Sequence, residues 1–407
     1  MTALPDSVRP APNGALGPRK ICDGVHWVGA VHWERRLFDS LIPLPDGTSY
    51  NAYLVTGQAK TALIDTVDPE LESLLLAQLE GLDRLDYVVS LHAEQDHSGG
   101  IPAVLARFPG ARVVTSPMAK GMLQDLLGLP EEVFVTVKEG ETLELGGKTL
   151  EFISTPWVHW PETMSAFLRE DRIVFSCDFF GSHIAATELF VADETRVLTA
   201  AKRYFAEIMM PFRNIIRKNL EKIVPYQPAC IAPSHGQVYP RPELIIDAYR
   251  DWVDGPPKNI ALIPYVSMHG STKLMVDFLA SRLAARGVVV ELFDLSVTDI
   301  GQLAMAMVDA ATIVLGTPTV LLGPHPNVAY AAVLANLLRC KARFLAVIGS
   351  YGWRTKAVEA LAAAVPNLKA EVLEPVLAKG VPGADEYEAL DRLAADIAER
   401  HAQNGIA

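Results

Sequence analysis

The stretch Leu91-His92-Ala93-Glu94-Gln95-Asp96-His97-Ser98-Gly99-Gly100 places four potential metal ligands within six residues. The preceding residues 86–90 are typical of a short buried strand, and the glycine pair predicts a turn into a helix that begins near Ile101. Loops at strand ends commonly present the functional side chains of a layered scaffold. Imidazoles and carboxylates together suit zinc, iron or manganese. We therefore expect the metal ligands to include His92, Glu94, Asp96 and His97.

Three later residues, His159, Asp178 and His235, also follow strand-like runs. Each of them alone would be compatible with an ordinary polar residue, but their shared position at strand ends favours convergence on one site. Seven ligands are too many for one tetrahedral zinc ion and suit two metals that share a bridging carboxylate.

The ligand pattern resembles that of the metallo-β-lactamase fold, whose hydrolases usually carry H-x-H-x-D-H on this loop. Here Glu94 occupies the position of the second histidine. A carboxylate in place of a neutral imidazole adds negative charge and a hard oxygen donor, which favours iron over zinc and stabilises the ferric state. Glu94 therefore favours redox chemistry over hydrolysis.

The order of predicted elements divides the 407 residues into two domains after a mobile N-terminal arm at residues 1–19. Residues 20–254 mix clustered strands with separate helices, which predicts an α/β fold of the αββα sandwich type. A helical pattern over residues 197–223 contains Pro211, which should break it. After a turn-rich linker at Asp254–Lys258, residues 255–407 alternate between short apolar strands and helices. This alternation predicts a doubly wound, five-stranded parallel sheet.

Composition and charge exclude several classes of protein. The four cysteines are scattered and form no C-x-x-C pair, which argues against a disulfide framework or a zinc ribbon and favours a cytoplasmic location. The formal net charge is −12, and the basic residues form no stripe, so we expect no nucleic-acid partner. No apolar run is long enough for a membrane span, and no secretory signal is visible at the N-terminus.

The second domain begins with a strand that runs into Ser267-Met268-His269-Gly270-Ser271-Thr272 and then a predicted helix. Hydroxyls and free N–H groups at a helix N-terminus can hold a phosphate, although an ordinary capped helix would look the same. The loop matches neither the Walker nor the dinucleotide motif, and its short form suits a mononucleotide such as FMN. Two later strand-end loops supply further candidates for flavin contact: Pro318, Thr319, Val320, Leu321, Gly323, Ser350, Tyr351, Gly352 and Trp353.

Together these motifs resemble those of the flavodiiron proteins, also called A-type flavoproteins, from about residue 20 to the end. The resemblance implies a flavodoxin-like second domain, one FMN and two iron ions per chain. It also implies that one iron takes His92, Glu94 and His159, that the other takes Asp96, His97 and His235, and that Asp178 bridges them.

The family reduces dioxygen to water, nitric oxide to nitrous oxide, or both. Electrons come from a rubredoxin or a similar donor, which is expected to be a separate protein here. The resemblance further implies a head-to-tail homodimer or a dimer of dimers. Beyond the metal ligands we expect no catalytic residue, and we consider Trp160 and Tyr204 as pocket residues, with helix packing as the alternative role.

Two features depart from the family pattern. Leu321-Leu322 stands where many members carry polar residues, and Arg354-Thr355-Lys356 stands where the loop is often glycine-rich. Both lie near the expected flavin and could alter its potential or the docking of a partner. Two other functions remain open at this point, namely a dinuclear zinc hydrolase with a fused flavodoxin module and an electron-carrier flavoprotein.

Overall fold

The computed structural model describes residues 16–406. The chain forms two compact units: a first unit that extends to Tyr204 and includes Phe212–Val253, and a second unit that consists of Phe205–Pro211 and the chain from Asp254 onward. The predicted domain limits, 20–254 and 255–407, stay predictions, and this division differs from them at Phe205–Pro211. The predicted arm lies outside the described residues except for residues 16–19, of which Arg19 begins the first strand.

Among the described residues, the first unit contains sixteen short strands. They are β1 (Arg19–Cys22), β2 (Val25–Trp27), β3 (Ala30–His32), β4 (Leu37–Phe38), β5 (Ile42–Pro43), β6 (Thr48–Tyr50), β7 (Tyr53–Thr56), β8 (Thr61–Ile64), β9 (Tyr87–Val89), β10 (Arg112–Thr115), β11 (Phe134–Thr136), β12 (Thr142–Glu144), β13 (Thr149–Ser154), β14 (Met164–Leu168), β15 (Ile173–Cys177) and β16 (Cys230–Pro233). Its helices are α1 (Glu72–Gln78), α2 (Gln95–Ser98), α3 (Ile101–Arg107), α4 (Pro117–Leu127), α5 (Glu194–Tyr204), α6 (Arg213–Ile223) and α7 (Pro242–Asp254).

Two sheets form the sandwich of the first unit. Within residues 16–406 the first sheet has the order β1-β2-β7-β8-β9-β10-β11, and the second has the order β12-β13-β14-β15-β16. The predicted hairpin is confirmed, because β7 and β8 pair antiparallel. The strands β8 to β11 of the first sheet are parallel to one another. The strand β9 leads into the loop that carries His92.

Alternate residues of the first sheet enter two different cores. In β8, Ala62 and Ile64 face the core between the sheets, where Phe152 and Phe175 of the second sheet also lie. Leu63 faces the opposite core, which the helices α1, α3 and α4 cover. Because successive side chains of a strand point to opposite faces, a sheet buried on both sides must be apolar at every position. This arrangement is the layered sandwich that the sequence predicts.

The helical run that contains Pro211 is broken, as predicted. The helix α5 ends at Tyr204, a π-helical turn covers Phe205–Met209, and a 3₁₀ turn covers Met210–Phe212 before α6 begins. Proline cannot donate a helical hydrogen bond, and its ring clashes with the preceding turn. The backbone therefore leaves α-helical geometry around this residue.

The second unit is a doubly wound sheet, which confirms the predicted topology. Its elements among the described residues are β17 (Lys258–Tyr265), α8 (Ser271–Ala284), β18 (Val289–Asp294), α9 (Ile300–Met307), β19 (Ala310–Val320), β20 (Gly323–Pro324), α10 (Pro326–Leu338), β21 (Phe344–Tyr351), α11 (Ala357–Ala363), β22 (Glu371–Val372), β23 (Val376–Lys379) and α12 (Ala384–Gln403). The main strand order is β18-β17-β19-β21-β22, and all neighbours in it are parallel. The additional strand β23 also pairs parallel with β21, alongside the part of β21 that follows the residues paired with β22. Ligands of such sheets bind outside the carboxyl ends of the strands.

None of the helices within residues 16–406 is both long and apolar enough to cross a membrane.

Candidate metal centre and flavin pocket

All seven predicted metal ligands meet at the carboxyl ends of strands in the two sheets of the first unit. The loop and short helix after β9 carry His92, Glu94, Asp96 and His97. The other three predicted ligands follow strands of the second sheet: His159 comes after β13, Asp178 after β15 and His235 after β16. The chemical groups of these residues lie close enough together to hold metal ions in two groups.

The first group surrounds the carboxylate of Glu94. Its Oε2 lies 3.1 Å from Nε2 of His92 and 3.0 Å from Nε2 of His159. The Oδ2 of Asp178 lies 3.5 Å from the same nitrogen of His92 and 3.6 Å from that of His159. Two imidazoles and two carboxylate oxygens therefore face one point.

The second group surrounds the carboxylate of Asp96. Its Oδ2 lies 3.2 Å from Nε2 of His97 and 3.3 Å from Nε2 of His235. The other oxygen of Asp178, Oδ1, lies 3.1 Å from Nε2 of His97 and 3.4 Å from Nε2 of His235. Asp178 thus presents one oxygen to each group, which is the geometry of a bridging carboxylate.

Hydrogen bonds from residues next to β7 and β8 hold the loops of the predicted ligands in place. The side-chain nitrogen of Asn51 donates to the carbonyls of Pro233 and Gly236, each at 2.8 Å, and thereby fixes the loop of His235. The hydroxyl of Thr66 donates to the carbonyl of His97 at 2.6 Å. Asn51 lies just before β7 and Thr66 just after β8, so the same part of the first sheet positions predicted ligands from both sheets.

The donor atoms fit metal cations. Nδ1 of His235 lies 2.8 Å from the carbonyl of Ser49, so this nitrogen carries the proton and Nε2 turns its lone pair toward the carboxylates. Both carboxylate oxygens of Asp96 and the Oδ2 of Asp178 are buried and have no hydrogen-bond partner among the described residues. Buried carboxylates without partners are costly, and metal ions would satisfy them. Mixed nitrogen and oxygen donors suit first-row transition metals.

The pKa values of the site residues also favour the binding of cations. Burial by itself would raise the pKa of Glu94, but hydrogen bonds with His159 and His92 hold it well below its usual range. The pKa of Asp178 is also well below its usual range, because nearby histidines outweigh the effect of burial. Burial opposes the charging of His97, yet the charges of Asp96 and Asp178 raise its pKa to about 10. The carboxylates therefore stay ionised and attract positive charge.

The sequence reasoning missed three residues that contact the ligands. The Oε1 of Glu162 lies 2.6 Å from Nδ1 of His92 and accepts a hydrogen bond of 3.0 Å from the backbone nitrogen of Ala93. Ser234 donates to Oδ1 of Asp178 at 2.9 Å. The Nδ1 of His183 lies 2.9 Å from the hydroxyl of Thr48, and its ring centre is 4.7 Å from that of His235.

A weak signal for these residues exists in the sequence. Glu162 follows His159 by three residues, His183 follows Asp178 by five, and Ser234 precedes His235 directly. Proximity along the chain to a predicted ligand is the only hint, because single residues of these types form no motif.

The two predicted pocket residues lie beside the metal donors. The ring centre of Trp160 is 5.0 Å from that of His92, with the rings perpendicular. Tyr204 is fully buried, and its ring centre is 4.8 Å from that of His183 and 5.8 Å from that of His235. Burial, with a further contribution from the charge of Asp178, raises the pKa of Tyr204 well above its usual value. Its hydroxyl is therefore a persistent hydrogen-bond donor at neutral pH.

The second unit has a cavity of about 280 Å³ at the carboxyl ends of its strands. It is lined by Ser267, Met268, His269, Ser271, Thr272, Pro318, Thr319, Ser350, Tyr351, Gly352 and Gly380, so the three predicted flavin loops meet there. The hydroxyls of Thr272 and Ser350 lie 3.0 Å apart, and Ser267 accepts a hydrogen bond from the backbone of Lys273. Helix α8 begins at this cavity, where its free N–H groups favour an anion.

Five predicted flavin residues do not line this cavity: Gly270, Val320, Leu321, Gly323 and Trp353. Leu321 is 94% exposed and Trp353 is 81% exposed. Gly270 has a φ of +92° and precedes α8, so it shapes the loop. Contact of these five residues with a flavin stays a prediction. Gly380, which follows β23, was not predicted from the sequence.

Comparisons with known proteins agree with both halves of this description. Residues 48–236 match the family model described as ODP family beta lactamase. The chain is 35% identical over 399 residues to a nitric oxide reductase of Moorella thermoacetica, with 94% of this chain and 98% of the relative covered. It is 35% identical over 407 residues to the type A flavoprotein fprA of Rhodobacter capsulatus, with 95% and 93% covered.

The solved structure of rubredoxin oxygen:oxidoreductase from Desulfovibrio gigas superposes with a TM-score of 0.92 at 31% identity, covering 96% of this chain and 100% of that one. This agreement over both units confirms the predicted fold, a metallo-β-lactamase-like sandwich followed by a flavodoxin-like sheet. The chain therefore belongs to the type A flavoproteins, the family of the flavodiiron proteins.

Proposed function

We propose that this protein is an oxidoreductase that reduces dioxygen to water, nitric oxide to nitrous oxide, or both, with an iron pair in the first unit and FMN in the second. The observation that carries the proposal is the carboxylate of Asp178. Each of its oxygens faces a different set of two imidazoles and one carboxylate. Such a shared carboxylate serves two metal ions at close range.

The donor set supports iron over zinc. Glu94 supplies an oxygen in the first group and Asp96 supplies one in the second, so each position would receive two oxygens and two nitrogens. Hard oxygen donors stabilise the ferric state, which a redox cycle needs. His92, Glu94 and His159 would hold one iron, Asp96, His97 and His235 the other, and Asp178 would bridge the two.

The iron pair, when bound, would hold the oxidant and supply electrons to it together. The chain contributes enclosure and orientation. Trp160 and Tyr204 lie against the ligand imidazoles, so they would limit the space beside the metals to a small molecule. The Tyr204 hydroxyl, which stays protonated, would offer a hydrogen bond to a bound diatomic molecule.

FMN, when bound, would pass electrons to the metals one at a time. The loop Ser267–Thr272 and the start of α8 would hold its phosphate through hydroxyls and backbone N–H groups. Pro318, Thr319, Ser350, Tyr351 and Gly352 line the same cavity and would contact the ring system.

A separate rubredoxin-like protein is our proposed electron donor, and the name of the Desulfovibrio gigas relative supports this class of partner. We also propose a head-to-tail homodimer or a dimer of such dimers, and a cytoplasmic location. These assignments rest on the family and on the scattered cysteines. Analytical ultracentrifugation of the purified protein tests the oligomeric state.

Two alternatives are less well supported. A zinc hydrolase needs no additional carboxylate in its ligand set, whereas Glu94 lies between two ligand imidazoles. An electron-carrier flavoprotein needs no buried metal donors, yet the site keeps all seven of them. Two of the three relatives named above are a nitric oxide reductase and an oxygen oxidoreductase, which favours the main proposal.

The decisive experiment is the analysis of iron, zinc and FMN in anaerobically purified protein, followed by oxygen and nitric oxide consumption assays with a reduced rubredoxin. We expect about two irons and about one FMN per chain, the stoichiometry of a two-metal site and one flavin. Two zinc ions that persist after expression in iron-replete medium would contradict the redox function. Bound iron and FMN without consumption of either gas would support the electron carrier instead.

A further inference from the structure

The two metal positions have the same kinds of ligand but different surroundings. Each has two imidazoles, one carboxylate of its own and one oxygen of Asp178. The difference lies in the groups that contact these ligands from behind, and those groups are buried and well defined.

At the first position, a carboxylate contacts the ligand imidazole of His92. The Oε1 of Glu162 lies 2.6 Å from Nδ1 of His92, and both side chains are fully buried. The backbone N–H of Ala93 donates to the same oxygen, so that oxygen acts as an acceptor and Nδ1 of His92 is the donor. A negatively charged acceptor behind a ligand imidazole makes the imidazole a stronger electron donor to its metal.

At the second position, no charged group within residues 16–406 forms a hydrogen bond with the outer nitrogens of the imidazoles. Nδ1 of His235 donates to the carbonyl of Ser49, and Nδ1 of His97 is buried without a hydrogen-bond partner among the residues described. The hydroxyl of Ser234 also donates to Oδ1 of Asp178, the oxygen that faces His97 and His235. This hydrogen bond draws electron density away from the oxygen and weakens its donation to a metal.

We propose that Glu162 and Ser234 make the two iron positions electronically unequal, with the position formed by His92, Glu94 and His159 the more electron-rich. The inference rests on the proposed function, because it needs two bound irons. Ferric iron is favoured by strong donors, so the half-reduced protein holds its ferric ion at this position and its ferrous ion beside Asp96, His97 and His235. Glu162 acts through His92 and is therefore a positioning residue, not a catalytic one.

The test compares the native protein with Glu162→Gln and Ser234→Ala by redox titration and by ⁵⁷Fe Mössbauer spectroscopy at half reduction. A glutamine oxygen can accept both hydrogen bonds of Glu162, so Glu162→Gln removes mainly the charge. We expect two separate iron couples in the native protein. Glu162→Gln should raise the lower midpoint potential, and Ser234→Ala should lower the higher one, so that both variants bring the two couples closer together.

Ser116→Ala is the matched control for Glu162→Gln. The hydroxyl of Ser116 donates to the backbone carbonyl of Glu162 at 3.1 Å and does not contact its carboxylate, so both potentials should remain as in the native protein. Because Ser234 acts on the other position, its variant tests the inference even where Glu162→Gln does not fold.

The outcomes separate the inference from the proposed function. Two bound irons with coincident potentials and identical Mössbauer parameters overturn the inference and leave the function standing. If Glu162→Gln and Ser234→Ala have the same midpoint potentials as the native protein, the inference is also overturned and the proposed function still stands. A native protein that holds no iron overturns the proposed function and the inference together.

Discussion

At the scale of single residues, Asp178 presents one carboxylate oxygen to each of the two groups of predicted metal donors. Asp178→Asn keeps the size of the side chain but replaces one charged oxygen by an amide nitrogen that cannot bind a cation. We expect the iron content to fall from about two per chain to about one or fewer, because one position loses its shared oxygen. FMN content should not change. Metal and flavin analysis measures both values.

Asp247→Asn is a suitable control, because Asp247 lies on the surface and pairs with Arg250. Its iron content should equal that of the native protein. A full complement of iron in Asp178→Asn would contradict the bridging role.

Tyr204 gives a second prediction at this scale. Tyr204→Phe keeps the ring that packs on His183 and His235 and removes the hydroxyl. Because that hydroxyl is a protonated donor beside the metals, we expect turnover with oxygen or nitric oxide to fall by about tenfold or more at unchanged iron content.

Tyr239→Phe is the matched control for this prediction. Tyr239 is equally buried and its hydroxyl donates to the carbonyl of Phe180, so the variant should lose about 1 kcal/mol of stability and keep its turnover. If Tyr204→Phe turns over as fast as the native protein, the prediction is wrong and Tyr204 has only a packing role.

The convergence of the seven predicted metal ligands could be anticipated, because their types and spacing form a pattern that chemistry explains. Glu162 was not predictable in the same way, because its role depends on a contact with His92, 70 residues earlier in the chain. An acid in a loop has no periodicity or motif that reveals its partner. The residues that surround a ligand can therefore be identified only from the folded structure, even where the ligand itself can be predicted from the sequence.

At the scale of elements, the turn between β19 and β20 is strained. Val320 pairs with Gly323, and the two residues between them, Leu321 and Leu322, have φ angles of +47° and +73°. A two-residue hairpin with two positive φ angles prefers Asn-Gly. Replacing Leu321-Leu322 by Asn-Gly should therefore raise the free energy of unfolding by about 1–2 kcal/mol. Denaturant titration measures this change, and equal or lower stability would contradict the strain.

The FMN affinity of the same variant tests the predicted flavin contact of Leu321. Leu321 is almost fully exposed, and it lies outside the cavity lining. An unchanged dissociation constant for FMN would show that the departure from the family pattern affects backbone strain and not flavin binding.

The end of α12 provides a prediction about pH. His401 is buried between Thr312, 2.7 Å from its Nε2, and Asn259, 2.8 Å from its Nδ1. Burial lowers the pKa of His401, so the folded state favours the neutral ring. This contribution to stability is present above pH of about 6.5, the pKa of an unfolded histidine, and is lost as the pH falls toward the lower folded-state pKa.

Unfolding titrations between pH 8 and pH 5 test this prediction. The free energy of unfolding of the native protein should decrease with falling pH more steeply than that of His401→Gln, which has no proton to gain. Equal slopes for the two proteins would contradict it.

The longer strands and helices were easier to predict from the sequence than the shortest strands were. The alternation of apolar strands and helices after residue 254 predicted the doubly wound sheet, because the central strands β17, β19 and β21 each contain a continuous apolar run. The pairs β3–β6 and β4–β5 were not predicted as paired strands, since two or three residues carry no periodicity. Strand β23 was missed for a similar reason, because Val376–Lys379 is short and ends in a charged residue.

At the scale of the whole molecule, metal binding should contribute to stability. Both carboxylate oxygens of Asp96 and one of Asp178 are buried without a hydrogen-bond partner among the described residues, and a bound cation would satisfy them. A ligand that binds only the folded state stabilises it by about 4 kcal/mol at a thousandfold excess over its dissociation constant. Removal of the metals with a chelator should therefore lower the melting temperature, and added ferrous iron should restore it.

Differential scanning calorimetry checks this expectation. The triple variant Glu94→Gln, Asp96→Asn and Asp178→Asn serves as the control, because it lacks the carboxylates that would hold the metals, so chelators should leave its melting temperature unchanged. A chelator effect of equal size in this variant would mean that the metals do not stabilise the native fold.

The metal centre joins two sheets whose strands are far apart along the chain. His92 follows the fifth strand of the first sheet, whereas His235 follows the last strand of the second. During synthesis, a nascent chain has neither a complete ligand set nor a docked second sheet until residues beyond 235 have emerged and folded. We therefore expect iron insertion to be a late step in biogenesis, which can occur only after both sheets of the sandwich have folded.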